Sequence, residues 1–153
     1  MIVDDNYLSA EGIEKNIDWE TLNAEIIHVC YNGTSAIEAM KKEPADLIIS
    51  DIEMPDLDGI SMSRQALEIN PMVKIILISA YDKFEYARRA LLLGALDYIE
   101  KPLDYAYLIQ KVKNAFALME KEQKNLQLLK QSRPLLTEKF FRDGLGRAGG
   151  MAF

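Results

Sequence analysis

The sequence predicts a doubly wound α/β fold: five parallel strands with helices on both faces and an extended helix at the C-terminal end. Three observations lead there. Short apolar runs rich in β-branched residues recur along the chain, stretches with helical spacing separate them, and four of the five runs end in charged or hydroxyl groups. Near-continuous apolar runs, as opposed to alternating ones, suit strands buried on both faces. Regular alternation of strand and helix implies right-handed crossovers and a parallel sheet.

The elements follow in order. MIV (1–3) is the first strand, and Leu8, Gly12, Ile13 and Ile17 carry helical spacing behind it. AEIIHVC (24–30) is the second strand, followed by Ala36, Ile37 and Met40. DLIIS (46–50) is the third, followed by a helix over Ser61–Ile69. VKIILIS (73–79) is the fourth, followed by Phe84, Ala87 and Leu91. ALDYI (95–99) is the fifth, and Asp104–Leu129 is the long last helix. Asn6, Thr34, Asp58 and Asp82 precede the first four helices, where a side-chain oxygen can accept from the free N–H groups of the first turn.

In the last helix Val112, Met119 and Leu126 recur every seven residues, as do Ala115, Glu122 and Leu129. The charged Glu122 weakens a coiled-coil seam, so a core-packed helix continuing outward as a linker is the simpler reading. Pro134 is expected to end the pattern, since proline removes a donor and clashes with the preceding turn. LLTEKFFRDGL (135–145) is amphipathic but too short for a domain, and GRAGGMAF (146–153) reads as a disordered tail.

Composition narrows the function. With 49% apolar residues the chain can build a core, which excludes a disordered-tail reading. No apolar run approaches the roughly 20 residues of a membrane span, and MIVDDNYLSA lacks the basic start and apolar stretch of a signal peptide. A cytoplasmic location is therefore expected. Cys30 and His28 are the only residues of their types, so any metal must be a hard ion held by oxygen. Residues 1–100 carry a net charge of −11 and residues 101–153 a net charge of +5. An acidic body argues against nucleic-acid binding by the body itself.

Ligands of open parallel sheets lie beyond the carboxyl ends of the strands. The first strand ends at Asp4-Asp5, the third at Asp51, the fourth at Ser79 and the fifth at Lys101. Three carboxylates meeting at one edge repel; at about 4 Å and an effective dielectric near 20, each pair costs roughly 4 kcal/mol as an upper guide. Such a cluster persists when a cation joins it or a pKa rises. A few carboxylates together with water and phosphate oxygens form the Mg²⁺ pattern. With a lysine and a hydroxyl beside them, these are the parts of phosphoryl transfer.

Asp4-Asp5, DIEMPDLDG (51–59), ISA (78–80) and YIEKP (98–102), in that order, resemble the receiver domain of two-component response regulators over about residues 1–122. The resemblance implies a flavodoxin-like sheet with strand order 2-1-3-4-5. It implies Asp51 as phosphoacceptor, with Asp5, Asp51 and the main-chain carbonyl of Glu53 on Mg²⁺ and Asp4 acting mainly through water. Ser79 and Lys101 would contact the phosphoryl group, Tyr98 would be the rotating switch aromatic, and Lys101-Pro102 would be a cis peptide. The implied partners are a sensor histidine kinase and, through the 83–122 face, a second copy of the chain.

The run Asn16-Ile17-Asp18-Trp19 followed by AEIIHVCYNG resembles receivers that precede AraC-type DNA-binding domains. Residues 123–145 would then be a helical linker and the start of a truncated following region, and DNA binding would belong to an output domain absent from this chain. Receivers usually carry more residues before the acidic pair, so a shortened first strand that holds Asp4 and Asp5 less firmly is expected. The competing readings are a constitutive, unphosphorylated interaction module and a hydrolase of external phosphoesters. Gly144, Gly146 and Gly149 match a dinucleotide motif without a preceding strand. Asp56, Asp58 and Gly59 hint at a calcium loop, but Met54 and Gln65 stand where acids are needed.

Overall fold

The structure is a computed structural model that describes residues 1–80 and 84–142, with side-chain surroundings for 1–80 and 85–131. The strands are β1 (Ile2–Val3), β2 (Val29–Cys30), β3 (Leu47–Asp51), β4 (Lys74–Ser79) and β5 (Asp97–Glu100). The helices are α1 (Tyr7–Asn16), α2 (Gly33–Lys42), α3 (Gly59–Ile69), α4 (Phe84–Leu93) and α5 (Tyr105–Arg142), with a 3₁₀ turn at Glu20–Leu22. All strand pairs are parallel, in the order β2-β1-β3-β4-β5. The expected doubly wound sheet and its strand order are thus observed.

The chain divides into two units, Met1–Ala115 and Phe116–Phe153. In the first, Ile48, Ile49, Ile75, Ile76, Leu77 and Ile78 are almost fully buried. They point alternately to the two sides of β3 and β4, so the central strands carry core on both faces. Each such side chain contributes about 1.5–3 kcal/mol by leaving water. Among the described side chains of α5 the buried positions are Leu108, Val112 and Ala115.

Several expectations need correction. The second strand was expected over 24–30 but is only Val29–Cys30. It is an edge strand with one neighbour, and Ala24 and Ile26–Val29 are half-buried. Apolar content there reflects cover over the core and not ladder pairing. The cap of α2 is Asn32, whose Oδ1 accepts from the Ser35 N–H at 2.8 Å; Thr34 lies inside the helix. Asn6 and Asp58 do cap α1 and α3, while Asp82 lies outside the described residues. In α1, Leu8 is exposed, and burial falls on Ala10 and Ile13. In α4, Leu91 and Leu92 are exposed and the packed face is Tyr86, Ala90 and Leu93.

Helix α5 passes through Pro134 to Arg142. A single proline removes one helical hydrogen bond at a cost of about 3 kcal/mol, and the Leu, Gln, Lys and Glu residues around it are good helix formers that carry the helix on. The tail 146–153 lies outside the described residues.

The short β1 is paired on both sides. Ile2 N–H donates to His28 O at 3.0 Å, Asp4 N–H to Cys30 O at 3.0 Å, and Ile49 N–H to Met1 O at 2.9 Å. The first strand is short, as expected, at two residues, and Asp4 is tied to it by its own N–H, while Asp5 beyond it is exposed.

Candidate functional site

Parallel pairing brings the strand ends to one edge. Val3 pairs with Ser50, which places Asp4 beside Asp51. Asp51 pairs with Ile78, and Ser79 follows one residue later. Ser79 pairs with Glu100, and the Lys101 N–H donates to Ser79 O at 2.8 Å, which brings Lys101 to the same edge. The Lys101–Pro102 peptide is cis.

The side chains converge. Carboxylate oxygens of Asp4, Asp5 and Asp51 all lie within 4.8 Å of one another. Lys101 Nζ donates to Asp4 Oδ2 at 3.3 Å and lies 3.6 Å from Asp51 Oδ2. Asp4 is buried, its Oδ1 accepting from the Asn6 N–H at 2.9 Å. Protein donors thus occupy both oxygens of Asp4. Asp51 is buried as well, and its Oδ1 accepts from the Ile52 N–H at 3.0 Å. Asp5 is exposed at the rim.

Charge is poorly balanced here. Three carboxylates face one ammonium. Burial, reinforced by the Asp4 and Asp5 charges, pushes Asp51 up to about 6, although Lys101 and the Ile52 N–H pull the other way. A divalent cation would relieve this. The donor set fits one: the atoms are hard oxygens, and their spacing approaches the roughly 3–4 Å between ligands around Mg²⁺.

The other predicted residues are near but differently engaged. Ser79 closes β4 and is fully buried. Tyr98 is half-buried on β5, packed on the core beside its register partner Leu77. Glu53 is half-buried in the loop that leaves Asp51. His28, read as a packing residue, places Nε2 2.9 Å from Glu43 O.

Beyond the expected Asp58 cap, sequence reasoning missed how that loop is held. Asp58 Oδ1 accepts from the Ser61 N–H at 2.7 Å as the α3 cap. The Gly59 N–H donates to Ile52 O at 2.8 Å, and a Cβ on Gly59 would lie 2.1 Å from Asp51 O. Only glycine allows so close a return of the chain onto Asp51. Thr34 hydrogen-bonds through Oγ1 to Asp56 Oδ2 across the loop. The residues set aside as a defective calcium loop thus form the turn beside Asp51. Their Asp-x-Asp-Gly spacing was the available signal.

Comparison with known proteins agrees with this geometry. The model of the response regulator receiver domain matches residues 1–113. The transcriptional regulatory protein YesN of Bacillus subtilis is 28% identical over 122 residues, covering 80% of this chain and 33% of YesN. HptR of Staphylococcus aureus, also a transcriptional regulatory protein, is 30% identical over 108 residues, covering 71% of this chain and 42% of HptR. The chain therefore spans a third to two fifths of these relatives. Among solved structures, the receiver domain of AraT, a response regulator from Geobacillus stearothermophilus, superposes with TM-score 0.75 at 34% identity, covering 80% of this chain and 95% of that one. A chain of the CheX–CheY–BeF₃–Mg complex from Borrelia burgdorferi gives TM-score 0.68 at 30% identity, over 75% of this chain and 86% of that one.

Proposed function

The chain belongs to the response regulator receiver domain family, and from that premise we propose that it accepts a phosphoryl group on Asp51 and thereby switches its interaction surface. The observation that carries this reading is the convergence of Asp4, Asp5 and Asp51 with Lys101 Nζ, 3.3 Å from Asp4 and 3.6 Å from Asp51. A core has no use for that set, and a constitutive module would not need it.

Asp51 Oδ2 is the attacking atom, since Oδ1 is held by the Ile52 N–H. That bond on Oδ1 and the Lys101 ion pair, 3.6 Å from Oδ2, hold the carboxylate in place at the sheet edge. The oxygen attacks phosphorus of a phosphohistidine on a sensor histidine kinase. A P–O bond forms, the P–N bond breaks, and the imidazole leaves and takes up a proton from water. Later attack of water on phosphorus regenerates the carboxylate and releases inorganic phosphate. Asp5, Asp51 and the Glu53 carbonyl would hold Mg²⁺, with Asp4 acting through water, and the ion would supply charge neutralisation for the phosphoryl oxygens. Lys101 offers its ammonium to a phosphoryl oxygen and exchanges its Asp4 partner to do so. Ser79 supplies a hydroxyl to another, and Tyr98 turns in response.

The output face is α4, β5 and the first turns of α5, the described part of the predicted 83–122 surface. Leu91 and Leu92, each 75% exposed, are the large apolar side chains that a second copy of the chain would cover. The receiver spans 1–122, and 123–145 lead toward a following region. DNA is contacted only through an output domain of the parent protein, as the relatives' descriptions as transcriptional regulators suggest. Among the described residues no helix is long and apolar enough to cross a membrane; a cytoplasmic location is proposed.

The test is incubation with a small acyl phosphate and Mg²⁺, read by intact mass. Wild-type protein should gain one phosphoryl group and Asp51→Asn none. Equal gain by both would remove the proposal.

A further inference from the structure

The loop between Asp51 and α3 contains a strained turn, and that turn is held from outside. Asp56 has φ of +78°, an unusual value for a residue with a side chain. The Leu57 N–H donates to Pro55 O at 2.9 Å across it. A positive central φ with this hydrogen bond describes a γ-turn of the rarer, strained hand. Strain of this kind persists only where the surroundings over-determine it.

Two contacts from the start of α2 do so. Thr34 Oγ1 donates to Asp56 Oδ2. Leu57 lies against Gly33 so closely that a Cβ there would meet Leu57 O at 2.5 Å and Leu57 Cβ at 2.8 Å. The far end of the loop is tied back to Asp51 itself. Gly59 N–H reaches Ile52 O at 2.8 Å, and Gly59 has no room for a Cβ against Asp51 O. The segment is thus short and closed, so a shift at Asp56 moves residues 52–55 relative to the Asp51 carboxylate.

We infer that Thr34 and Asp56 are positioning residues: a clamp from α2 that holds the strained turn and so sets the backbone of residues 52–55, Glu53 included, for Mg²⁺ and phosphoryl capture at Asp51. This rests on the phosphoacceptor reading above. Neither residue touches the reacting atoms. Both are exposed, so the clamp adds little to core packing, and its effect separates from general stability.

The test uses the chain as it stands, with Thr34→Val, Thr34→Ser and Asp56→Gly. Mg²⁺ alone is titrated calorimetrically, phosphorylation by an acyl phosphate is timed by intact mass, and thermal unfolding is recorded in EDTA. Thr34→Val keeps the shape and removes the hydroxyl. It should weaken Mg²⁺ binding and slow phosphorylation by about three- to tenfold, below the range for partners that touch a ligand directly, with unfolding in EDTA little changed. Thr34→Ser keeps the donor and should restore both values. Asp56→Gly relieves the strained φ but loses the clamp, so it should lower Mg²⁺ affinity without lowering stability. Should wild type bind Mg²⁺ and accept phosphate while Thr34→Val does both equally well, the clamp is refuted and the phosphoacceptor reading stands. Should wild type do neither, both fall together. A parallel loss of Mg²⁺ affinity and of EDTA stability in Thr34→Val, unrestored by serine, would also overturn the positioning role.

Discussion

Replacing Asp51 by asparagine is expected to stabilise the metal-free domain while abolishing its chemistry. Burial and the neighbouring Asp4 charge raise Asp51 from 3.8 to about 6 in the folded chain, against the pull of Lys101. Between those two values the folded state binds more protons than the unfolded one. Stability therefore falls as pH rises through that window and stays at its lower level above about pH 6. The full difference corresponds to roughly 3 kcal/mol, and water reaching the open rim beside Asp5 reduces this to about 1–2 kcal/mol. Asparagine keeps the shape and an acceptor for the Ile52 N–H, and removes the charge that Asp4 and Asp5 oppose. In EDTA near neutral pH, Tm should rise by roughly 3–8 °C for a domain of this size. By about pH 4 most of that gain should be gone, because wild-type Asp51 is then largely neutral in the folded state. Added Mg²⁺ should narrow the gap by stabilising wild type more than the variant. Thermal melts across this pH range, with and without metal, provide the assay. An Asp51→Asn protein no more stable than wild type at neutral pH, or a difference independent of pH, would refute the electrostatic account of the site.

Other outcomes follow from the same geometry. Lys101→Met should slow phosphorylation by about a hundredfold, the usual scale for losing one charge-stabilising group, as timed by intact mass; an unchanged rate would remove Lys101 from the mechanism. Gly59→Ala should destabilise by about 3 kcal/mol or more in urea, because its Cβ would meet the Asp51 backbone at 2.1 Å. The Gly12→Ala methyl clashes with the movable end of Tyr105, 2.3 Å from the hydroxyl, and otherwise makes ordinary contacts, so Tyr105→Phe should recover most of its loss. Leu91→Glu on the exposed face of α4 should change stability by no more than about 0.5 kcal/mol yet reduce any phosphorylation-dependent dimer seen by size exclusion. A dimer that forms equally well would move the interface elsewhere.

Much of this molecule was legible in the sequence where burial and chemistry reinforce each other. β3 and β4 are buried along nearly their whole length, and two-sided burial writes itself as an unbroken apolar run. Asp4, Asp5, Asp51 and Lys101 were legible because a parallel sheet forces its strand ends together, whatever lies between them. The edge strand was not legible. β2 needs only two paired residues, and apolar cover around it imitates a longer strand. α4 misled because its buried face turns on the small residue Ala90, while the bulkier Leu91 and Leu92 face outward. Thr34 was assigned a cap that Asn32 provides, since both residue types suit that role two positions apart. Its actual partner, Asp56, lies 22 residues away, and local pattern carries no information about such a contact.

The central claim is that one carboxylate, among the three gathered at the sheet edge, takes the phosphoryl group. Its most direct test is to treat the wild-type chain with an acyl phosphate and Mg²⁺ and locate any added mass by proteolytic mapping. The account predicts one phosphoryl group, on the peptide that contains Asp51, lost on omission of Mg²⁺ or on Asp51→Asn. A phosphoryl group on another residue, or none on a folded chain shown to bind Mg²⁺, would contradict it.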